Sequence, residues 1–366
     1  MTNTLKLPTR PQPILRLAIS VLFAWLGVAA TAQAQTFRLT DLGTLPGGGP
    51  TQALGMNAAG VVVGSGNLSS GAFHAVRLGK PVHDLGALAG GLSAASAINA
   101  SGQIIGSAYT STGSSVYHAV VFDGTRILDL GTLSGFFSSA SGINASGLVI
   151  GNGDLYGGAN AGWTYRIGVS RTLQGLPTLG GLNSAAAAVN DDGIIVGSAN
   201  LPGPYAAGGA SHAASWLNGV VTDLGTLSPS NPDAASMATA ISSNGLIAGS
   251  STAPDGTVHA FLLTHGLMGD LGLLAGTNMT AATGVNALGV VIGTANIPRL
   301  DYRGRPVPGK GTRAAFVYRN GTMVNLSSLV PAGWMVNHAA AINDAGQIAA
   351  TATGPGGVQH GVLLSP

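Results

Sequence analysis

The chain has 366 residues, of which 58 are Gly and none is Cys, and its formal net charge is +2. The missing Cys excludes disulfide scaffolds, Cys-ligated zinc, thiol nucleophiles and iron–sulfur clusters. All 13 acidic residues are Asp, and polar residues or Gly interrupt every apolar run after residue 30, which excludes a bundle of membrane-spanning helices.

Residues 1–34 have the pattern of a secretory signal peptide. The segment combines basic Lys6, Arg10 and Arg16, an apolar run from Leu17 to Ala30, and a small-residue cleavage site at Ala32-Gln33-Ala34. An uncleaved anchor is the alternative, although 14 apolar residues are short for a bilayer. The expected mature chain starts near Gln35 and carries 12 basic residues against 13 Asp. Since the basic excess belongs to the leader, nucleic acid is not an expected partner.

The rest of the chain repeats one unit seven times. Asp-Leu-Gly marks five copies, which begin at Asp41, Asp84, Asp129, Asp223 and Asp270. Degenerate forms at Gly175-Leu176-Pro177 and Asn325-Leu326-Ser327 mark two more, and the successive spacings are 43, 45, 46, 48, 47 and 55 residues. Self-similarity at such a period indicates a repeat fold.

A second mark, an apolar residue followed by Asn-x-x-Gly, lies between these tripeptides. Six of seven copies keep the Asn, Ser242 replacing it once, and all seven keep the Gly. Because both residues tolerate positive φ, the pattern predicts a tight hairpin turn. The positions one and three residues before the apolar residue are always Gly or Ala, such as Ala53 and Gly55. Residues two apart on a strand share a face, so we expect a face crowded against another backbone or near an axis.

Each unit is typical of four short strands, and 43–55 residues for four strands is the period of a β-propeller blade. We predict an all-β fold in which residues 35–366 form a single seven-bladed β-propeller. A β-solenoid is the alternative, but its coils are usually shorter. The chain opens with a lone fourth strand, Thr36 to Asp41, and ends with a lone third strand, His360 to Leu364. Joined, these would complete a blade and close the ring, leaving no long exposed edge.

His residues open five third strands, and Asp residues end five fourth strands. The predicted pairs are His74–Asp84, His118–Asp129, His212–Asp223, His259–Asp270 and, across the closure, His360–Asp41. Units three and six carry Ala161 with Gly175 and Ala314 with Asn325 instead, so both partners are lost together. In unit two, a two-residue turn that pairs Phe122 with Thr125 would set His118 directly opposite Asp129. In units four and five we expect the His to lie one diagonal step from the Asp, on the same face of the sheet.

These pairs could also be catalytic dyads or metal sites. Five copies on separate units cannot converge on one substrate, and a single His–Asp pair is a poor metal cage. We therefore interpret them as structural, and we expect no catalytic residue, no metal and no cofactor.

The repeat resembles the bacterial extracellular HAF repeat family over residues 36–366. The shared marks are Asp-Leu-Gly-Thr-Leu-x-Gly-Gly, Ile-Asn-x-x-Gly-x-x-x-Gly and His-Ala-Phe, although the last stands intact only at His259-Ala260-Phe261. Members of this family look secreted or surface-exposed and have no established activity. The resemblance thus implies an extracellular or cell-surface location, with the periplasm as the alternative, and says nothing of chemistry.

Loops on a rigid scaffold are the usual sites of recognition. In a propeller, the loops from fourth to first and from second to third strand share one face, which we name the long-loop face. The longest unit has a predicted loop from Thr294 to Thr312, whose candidate ligand-binding residues are Arg299, Tyr302, Arg303, Arg305, Lys310 and Arg313. Such residues suit carboxylate, sulfate or phosphate groups; the alternative is a solvated insertion that keeps the protein soluble. Pro204-Tyr205 and Tyr156 could add aromatic contacts.

We therefore expect a non-catalytic secreted or surface-exposed scaffold that binds a cell-envelope or matrix component, such as an anionic polysaccharide, through the long-loop face. No transmembrane segment is expected after signal cleavage. The alternative is a propeller glycan hydrolase or lyase, which needs paired carboxylates. The Asp residues outside Asp-Leu-Gly, among them Asp154 and Asp233, are scattered along the chain and disfavour that alternative.

Overall fold

The Asn-x-x-Gly segments are tight turns between antiparallel strands. In the computed structural model, the Gly N–H donates to the carbonyl of the first turn residue at 3.0–3.1 Å in every copy, and the Gly φ lies between +75° and +86°. The expectation that Asn also takes positive φ is wrong, since no Asn of these turns does so. Its side chain supports the turn instead: Asn57 Oδ1 accepts from the backbone N–H groups of Ala59 and Val61 at 3.1 and 3.0 Å.

The structure describes residues 36–124, 126–203, 209–303 and 306–366, and within these the side chains of residues 300, 306 and 308–310 are not described. The predicted leader, residues 1–34, lies outside them, as do Thr125, Pro204, Tyr205 and Arg305. Residues Gln35–Pro366 form one compact unit. No helix in the described ranges is long and apolar enough to cross a membrane.

The described chain is all-β, as predicted, and contains one short 3₁₀ helix, Leu326–Leu329. Strand β1 is Arg38–Asp41. Four sheets each take four consecutive strands in antiparallel order. These strands are β2–β5 (Thr51–Met56, Val62–Asn67, Phe73–Leu78, His83–Asp84), β6–β9 (Ser93–Ile98, Ile104–Tyr109, Tyr117–Phe122, Ile127–Asp129), β10–β13 (Ser138–Ile143, Leu148–Asp154, Asn160–Arg166, Gln174–Gly175) and β14–β17 (Ser184–Val189, Ile195–Asn200, Ser211–Leu217, Val220–Gly225).

An eight-stranded sheet follows, built from two groups of four strands. The groups are β18–β21 (Ser236–Ile241, Ile247–Thr252, Val258–Thr264, Leu267–Asp270) and β22–β25 (Met279–Val285, Val291–Leu300, Pro306–Arg319, Thr322–Asn325). A single parallel pairing, Val258 with Met279, joins them. Each group otherwise repeats the antiparallel order of the other sheets.

The start and the end of the described chain meet in one sheet. The last strands are β26 (Met335–Ile342), β27 (Ile348–Thr353) and β28 (Gln359–Ser365). Strand β1 pairs antiparallel with β28, with Asp41 opposite Val362, and gives the order β1-β28-β27-β26. The first strand thus completes the sheet of the last three, as the sequence predicts.

The paired small residues of the first strands are separated by a β-bulge. In β2 the register shifts between Ala53 and Gly55, and the same shift recurs in the other first strands. The expectation of one shared face is therefore wrong, because a bulge redirects the side chain that follows it. Ala53 packs in the apolar core, whereas Gly55 lines a central cavity of about 270 Å³ to which β2, β6, β10, β14, β18, β22 and β26 all contribute.

The bulge also explains why each repeat but the last carries a second Gly four residues after the turn Gly, such as Gly64 after Gly60. Gly64 lies opposite Ala53 at the bulge, and a Cβ at Gly64 would lie 1.8 Å from the carbonyl oxygen of Gln52. Five further second strands show the same close approach, at Gly106, Gly151, Gly197, Gly249 and Gly293. In the last unit Ala350 takes this place. Gly is kept because the neighbouring backbone occupies the space of a side chain.

The longest unit contains a long hairpin rather than the predicted loop from Thr294 to Thr312. Thr294 lies within β23 and Thr312 within β24, and the two strands stay paired as far as Leu300 opposite Pro306. A register shift between Pro298 and Leu300 accommodates the pairing. The insertion therefore projects from the sheet as an extension of its two middle strands.

Candidate functional site

Each predicted His–Asp pair is in contact. The His Nδ1 lies 2.9–3.0 Å from an Asp carboxylate oxygen in all five pairs. The same carboxylate accepts the N–H of the Gly two residues later, for example Gly272 N–H to Asp270 Oδ1 at 2.7 Å. That Gly has φ +73°. Asp-Leu-Gly is thus a turn in which one carboxylate joins the third strand to the chain leaving the fourth.

The expected register of unit two is wrong. Asp129 lies opposite Val120, and Phe122 pairs with Ile127. The loop between Phe122 and Ile127 holds four residues rather than two, and the N–H of Arg126 donates to Asp123 Oδ1 at 2.8 Å. His118 therefore reaches Asp129 by the diagonal step seen in units four and five.

Unit six, which lacks the pair, has a cavity at this place. Ala314 and Asn325 occupy the positions of the His and the Asp, and both line a cavity of about 550 Å³. Asn325 Oδ1 instead accepts the N–H of Ser327 at 2.9 Å. A small side chain in place of an imidazole leaves this space open.

Two basic side chains of this cavity have no hydrogen-bond partner among the described residues. Arg313 projects from β24 and is exposed, and His338 on β26 is half-buried; both line the cavity. Burial and, to a lesser extent, the charge of Arg313 lower the pKa of His338 below its usual value of 6.5. The site therefore presents a permanent positive charge beside an imidazole whose protonated form a bound anion would favour.

The remaining wall is amphipathic. Ile297, Leu54 and Val336 contribute apolar surface, and Gln52 and Gln359 contribute side-chain amides. Gln52, His338 and Gln359 lie in the starting halves of β2, β26 and β28, at the ends from which the loops of the long-loop face emerge. The cavity thus opens where recognition was predicted.

Of the four candidate loop residues whose side chains are described, the structure brings one to this cavity. Arg313 lines it, whereas Arg299 is exposed on β23. At the tip of the hairpin, the guanidinium carbon of Arg303 lies 5.2 Å from the ring centre of Tyr302, which is cation–π geometry. Arg305 lies outside the described residues, and Lys310 is described in β24 by its backbone alone.

Sequence reasoning missed His338. Strand β26 contains two register shifts where the other first strands contain one, and the additional shift leaves no residue of β27 directly opposite Asn337. The sequence signals the additional shift only by one extra residue before Ala339, beside the polar Asn337 and His338. The shift itself depends on how the strands pair in the fold, which composition and periodicity do not show.

The described part of the chain contains no comparable cluster of acidic residues and no comparable metal site. No group of three or more His, Asp or Glu side chains could hold a metal ion there. Burial raises the pKa of Asp154, but the N–H groups of Phe136 and Phe137 outweigh this and hold it below its usual value. These two bonds are 3.0 and 2.6 Å long, so this carboxylate is engaged with backbone.

No protein-family model and no curated protein match the chain. Among solved structures, it is similar to a putative TolB from Agrobacterium tumefaciens (11% identity, TM-score 0.43), covering 78% of this chain and 94% of that one. It is similar to TolB from Acinetobacter baumannii (14% identity, TM-score 0.41), with 68% and 60% covered. For AofleA from Arthrobotrys oligospora the identity is 10%, the TM-score 0.42, and 79% and 89% are covered.

Proposed function

We propose that residues 35–366 form a closed seven-bladed β-propeller. Three hydrogen bonds between the last and first units support closure: Ala53 N–H to Thr351 Oγ1 (3.1 Å), Gly361 N–H to Thr51 Oγ1 (3.0 Å) and Asn343 Nδ2–H to the Ala58 carbonyl (3.2 Å). The central cavity, lined by the first strand of every unit, supports a ring rather than a solenoid.

On this scaffold we propose a non-catalytic binding function for an acidic component of the cell envelope or matrix. The observation that carries it is Arg313 near His338, neither with a hydrogen-bond partner among the described residues, in the cavity that the missing His–Asp pair leaves open. A guanidinium can hold a carboxylate or sulfate through two parallel hydrogen bonds. His338 would add a charge-assisted donor once protonated, and the amides of Gln52 and Gln359 can bind hydroxyl groups.

Binding is proposed rather than catalysis because hydrolysis of a glycosidic bond requires two carboxyl groups, and the described residues lining this cavity include none. The leader and the resemblance to HAF repeats support export and an extracellular or cell-surface location. The ligand we expect is therefore an acidic polysaccharide.

The experiment compares binding of the exported full-length chain to alginate, a polyuronate, with binding to neutral dextran, by titration calorimetry at low and high salt. Arg313→Ala is compared with Arg171→Ala, which removes an exposed Arg from the loop between β12 and β13 of unit three. Loss of a charge-assisted pair costs about 1.5–3 kcal/mol, so we expect roughly ten- to hundredfold weaker alginate binding by Arg313→Ala alone.

A variant in which residues 298–311 are replaced by a short turn separates the hairpin from the cavity. Weaker binding by this variant but not by Arg313→Ala would assign recognition to the hairpin. Equal affinity of all variants, or no salt-sensitive binding by the unaltered protein, would contradict the proposal.

A further inference from the structure

Aromatic residues make up only 5% of the chain, yet five lie side by side in units two and three. The rings of Tyr109 and Tyr117 have centroids 5.8 Å apart, Tyr117 and Phe137 lie 5.2 Å apart, and Phe136 meets Tyr156 edge-on at 6.2 Å. We name these five residues the aromatic strip. Phe136 and Tyr156 are 59% and 76% exposed, so the strip presents ring surface to solvent.

The fold places the strip on the long-loop face. Tyr109 ends β7 and Tyr117 begins β8, Phe136 and Phe137 precede β10, and Tyr156 follows β11. All five therefore lie on loops, or at the strand ends that carry them, between the second and third strands or before a first strand. Since the cavity of Arg313 belongs to units six, seven and one, the strip is a separate surface.

The strip is held in place by Asp154. Its two carboxylate oxygens accept the N–H groups of Phe136 and Phe137, and the Gly135 N–H donates to the Asp154 carbonyl at 3.1 Å. A Cβ at Gly135 would lie 2.3 Å from the Asp154 carboxyl carbon. The double-phenylalanine turn is therefore fixed before any ligand arrives, which lowers the entropic cost of binding.

The five side chains of the strip are uncharged and amphipathic. The hydroxyl groups of Tyr109 and Tyr117 make no hydrogen bond within the described residues, so each can donate and accept. The Asp154 carboxylate, whose pKa lies below its usual value, keeps its negative charge beside the backbone of Phe136 and Phe137, and His118, next to Tyr117, is paired with Asp129 at 2.9 Å. The surface thus offers ring faces and hydroxyls, and the carboxylate that supports it is negatively charged.

We propose that the aromatic strip binds the sugar rings of a neutral glycan chain. The axial C–H groups of a pyranose stack on an aromatic face, while its hydroxyl groups bond to Tyr109 and Tyr117. The rings lie 5–6 Å apart and are tilted by 41–80° within the group Tyr109, Tyr117 and Phe137 and within the pair Phe136 and Tyr156, so each of the two groups offers a ring face to one sugar of the chain. The negative charge of Asp154 beside the strip disfavours the acidic ligand proposed for the Arg313 cavity, and the two sites are independent.

The test measures retention of the exported full-length chain on insoluble cellulose, chitin and β-1,3-glucan, with phenyl-agarose as a non-sugar apolar surface. Phe136→Ala and Tyr156→Ala are made singly and together, and Phe136→Tyr keeps the ring. Leu288→Ala, which removes a 78% exposed apolar side chain from a tight turn, is the matched control. Circular dichroism and thermal unfolding establish that each variant is folded.

We expect retention on at least one of the three glycans, weakened about tenfold by loss of each ring and unchanged in Phe136→Tyr, Leu288→Ala and Arg313→Ala. Competition by the matching soluble oligosaccharide supports stacking on sugar. Three results would overturn the inference: no retention on any of the glycans, equal retention by the double variant, or ring-dependent retention on phenyl-agarose alone, which would indicate a protein or other apolar partner. Failure of the Arg313 proposal would leave all of these outcomes unaffected.

Discussion

Nδ1 of His259 lies 2.9 Å from each carboxylate oxygen of Asp270, and this contact joins the third strand of the unit to the fourth. Asp270 also accepts the Gly272 N–H, so one carboxylate fixes the side chain of the third strand and the turn after the fourth. This dual use explains why His and Asp-Leu-Gly recur together and are lost together.

Replacing His259 with Ala should destabilise the protein without altering ligand binding. A hydrogen bond to a charged group contributes about 1.5–3 kcal/mol when buried. Because the Asp270 side chain is 40% exposed and water screens the contact, we expect a loss of about 1 kcal/mol in the free energy of unfolding, measured with urea. The control is His83→Ala, an exposed His with no partner among the described residues. Equal losses in the two variants would contradict a structural role for the pair.

Much of the fold could be predicted because its signals are local and repeated. Turn residues such as Asn57 and Gly60, the apolar second strands, and the pairing of β1 with β28 follow from spacing and hydropathy alone. The β-bulge at Ala53 and Gly55 could not be predicted, because it depends on which residues of two strands lie opposite each other. The diagonal step from His118 to Asp129 could not be predicted either, because the length of the loop between Phe122 and Ile127 was not recognised in the sequence.

The candidate site was predicted less well. Arg313 was included for its place in a basic segment, but its neighbour His338 is 25 residues away in sequence. The two come together only because β24 and β26 lie in adjacent units and β26 carries an additional bulge. Packing between repeats brings Arg313 and His338 together, and the period of the sequence carries no information about this packing.

Restoring the missing pair in unit six should close the cavity. In Ala314→His/Asn325→Asp, the new imidazole would occupy space beside Arg313, and the pair should raise the free energy of unfolding or leave it unchanged. We expect alginate binding to fall about tenfold or more. The matched control, Ala161→His/Gly175→Asp, makes the same change in unit three and should keep full affinity. Unchanged binding in the unit-six variant, with the pair seen by NMR, would place the ligand elsewhere.

The pKa of His338 should make both stability and binding depend on pH. Burial and Arg313 lower this pKa in the folded protein below 6.5, so as pH falls through 6.5 the unfolded chain takes up the proton first and the contribution of His338 to stability is lost. A bound anion favours the protonated imidazole, so alginate affinity should rise over the same range, by at most one charge-assisted hydrogen bond of about 1.5–3 kcal/mol.

His338→Gln isolates these two effects. The five His–Asp pairs are common to both proteins and cancel in the comparison. Urea unfolding and calorimetry between pH 7.5 and 5 should give smaller slopes for His338→Gln than for the unaltered protein. Parallel slopes for the two proteins would exclude His338 from the titration.

In five of the six tight turns that carry Asn, its side-chain amide donates to a carbonyl of a neighbouring unit and should contribute to stability; Asn190 Nδ2 makes no such bond. Asn144 Nδ2 donates to the Asn190 carbonyl at 3.0 Å, and Asn144 Oδ1 accepts the N–H groups of Ser146 and Leu148. Asn144→Ala would remove these three hydrogen bonds, which contribute about 0.5–1.5 kcal/mol each, so we expect a total loss of about 2–4 kcal/mol by urea unfolding.

Ser242 stands where the other turns carry Asn, and its side chain has no amide to extend to the following turn. Its Oγ accepts the Leu246 N–H at 2.9 Å and donates to Asn244 Oδ1 at 2.7 Å, both within its own turn. The link to the next turn comes from Asn244 instead, whose Nδ2 donates to the Ala287 carbonyl at 3.0 Å. Ser242→Asn should therefore add a second link to the Asn286 turn and raise the free energy of unfolding by at most about 1 kcal/mol. Ser242→Ala, which removes hydrogen bonds within one turn and leaves the Asn244 link in place, should cost less than Asn144→Ala. If Asn144→Ala and Ser242→Ala cost the same, neither the link from Asn144 to the Asn190 carbonyl nor the second backbone N–H that Asn144 accepts adds to stability.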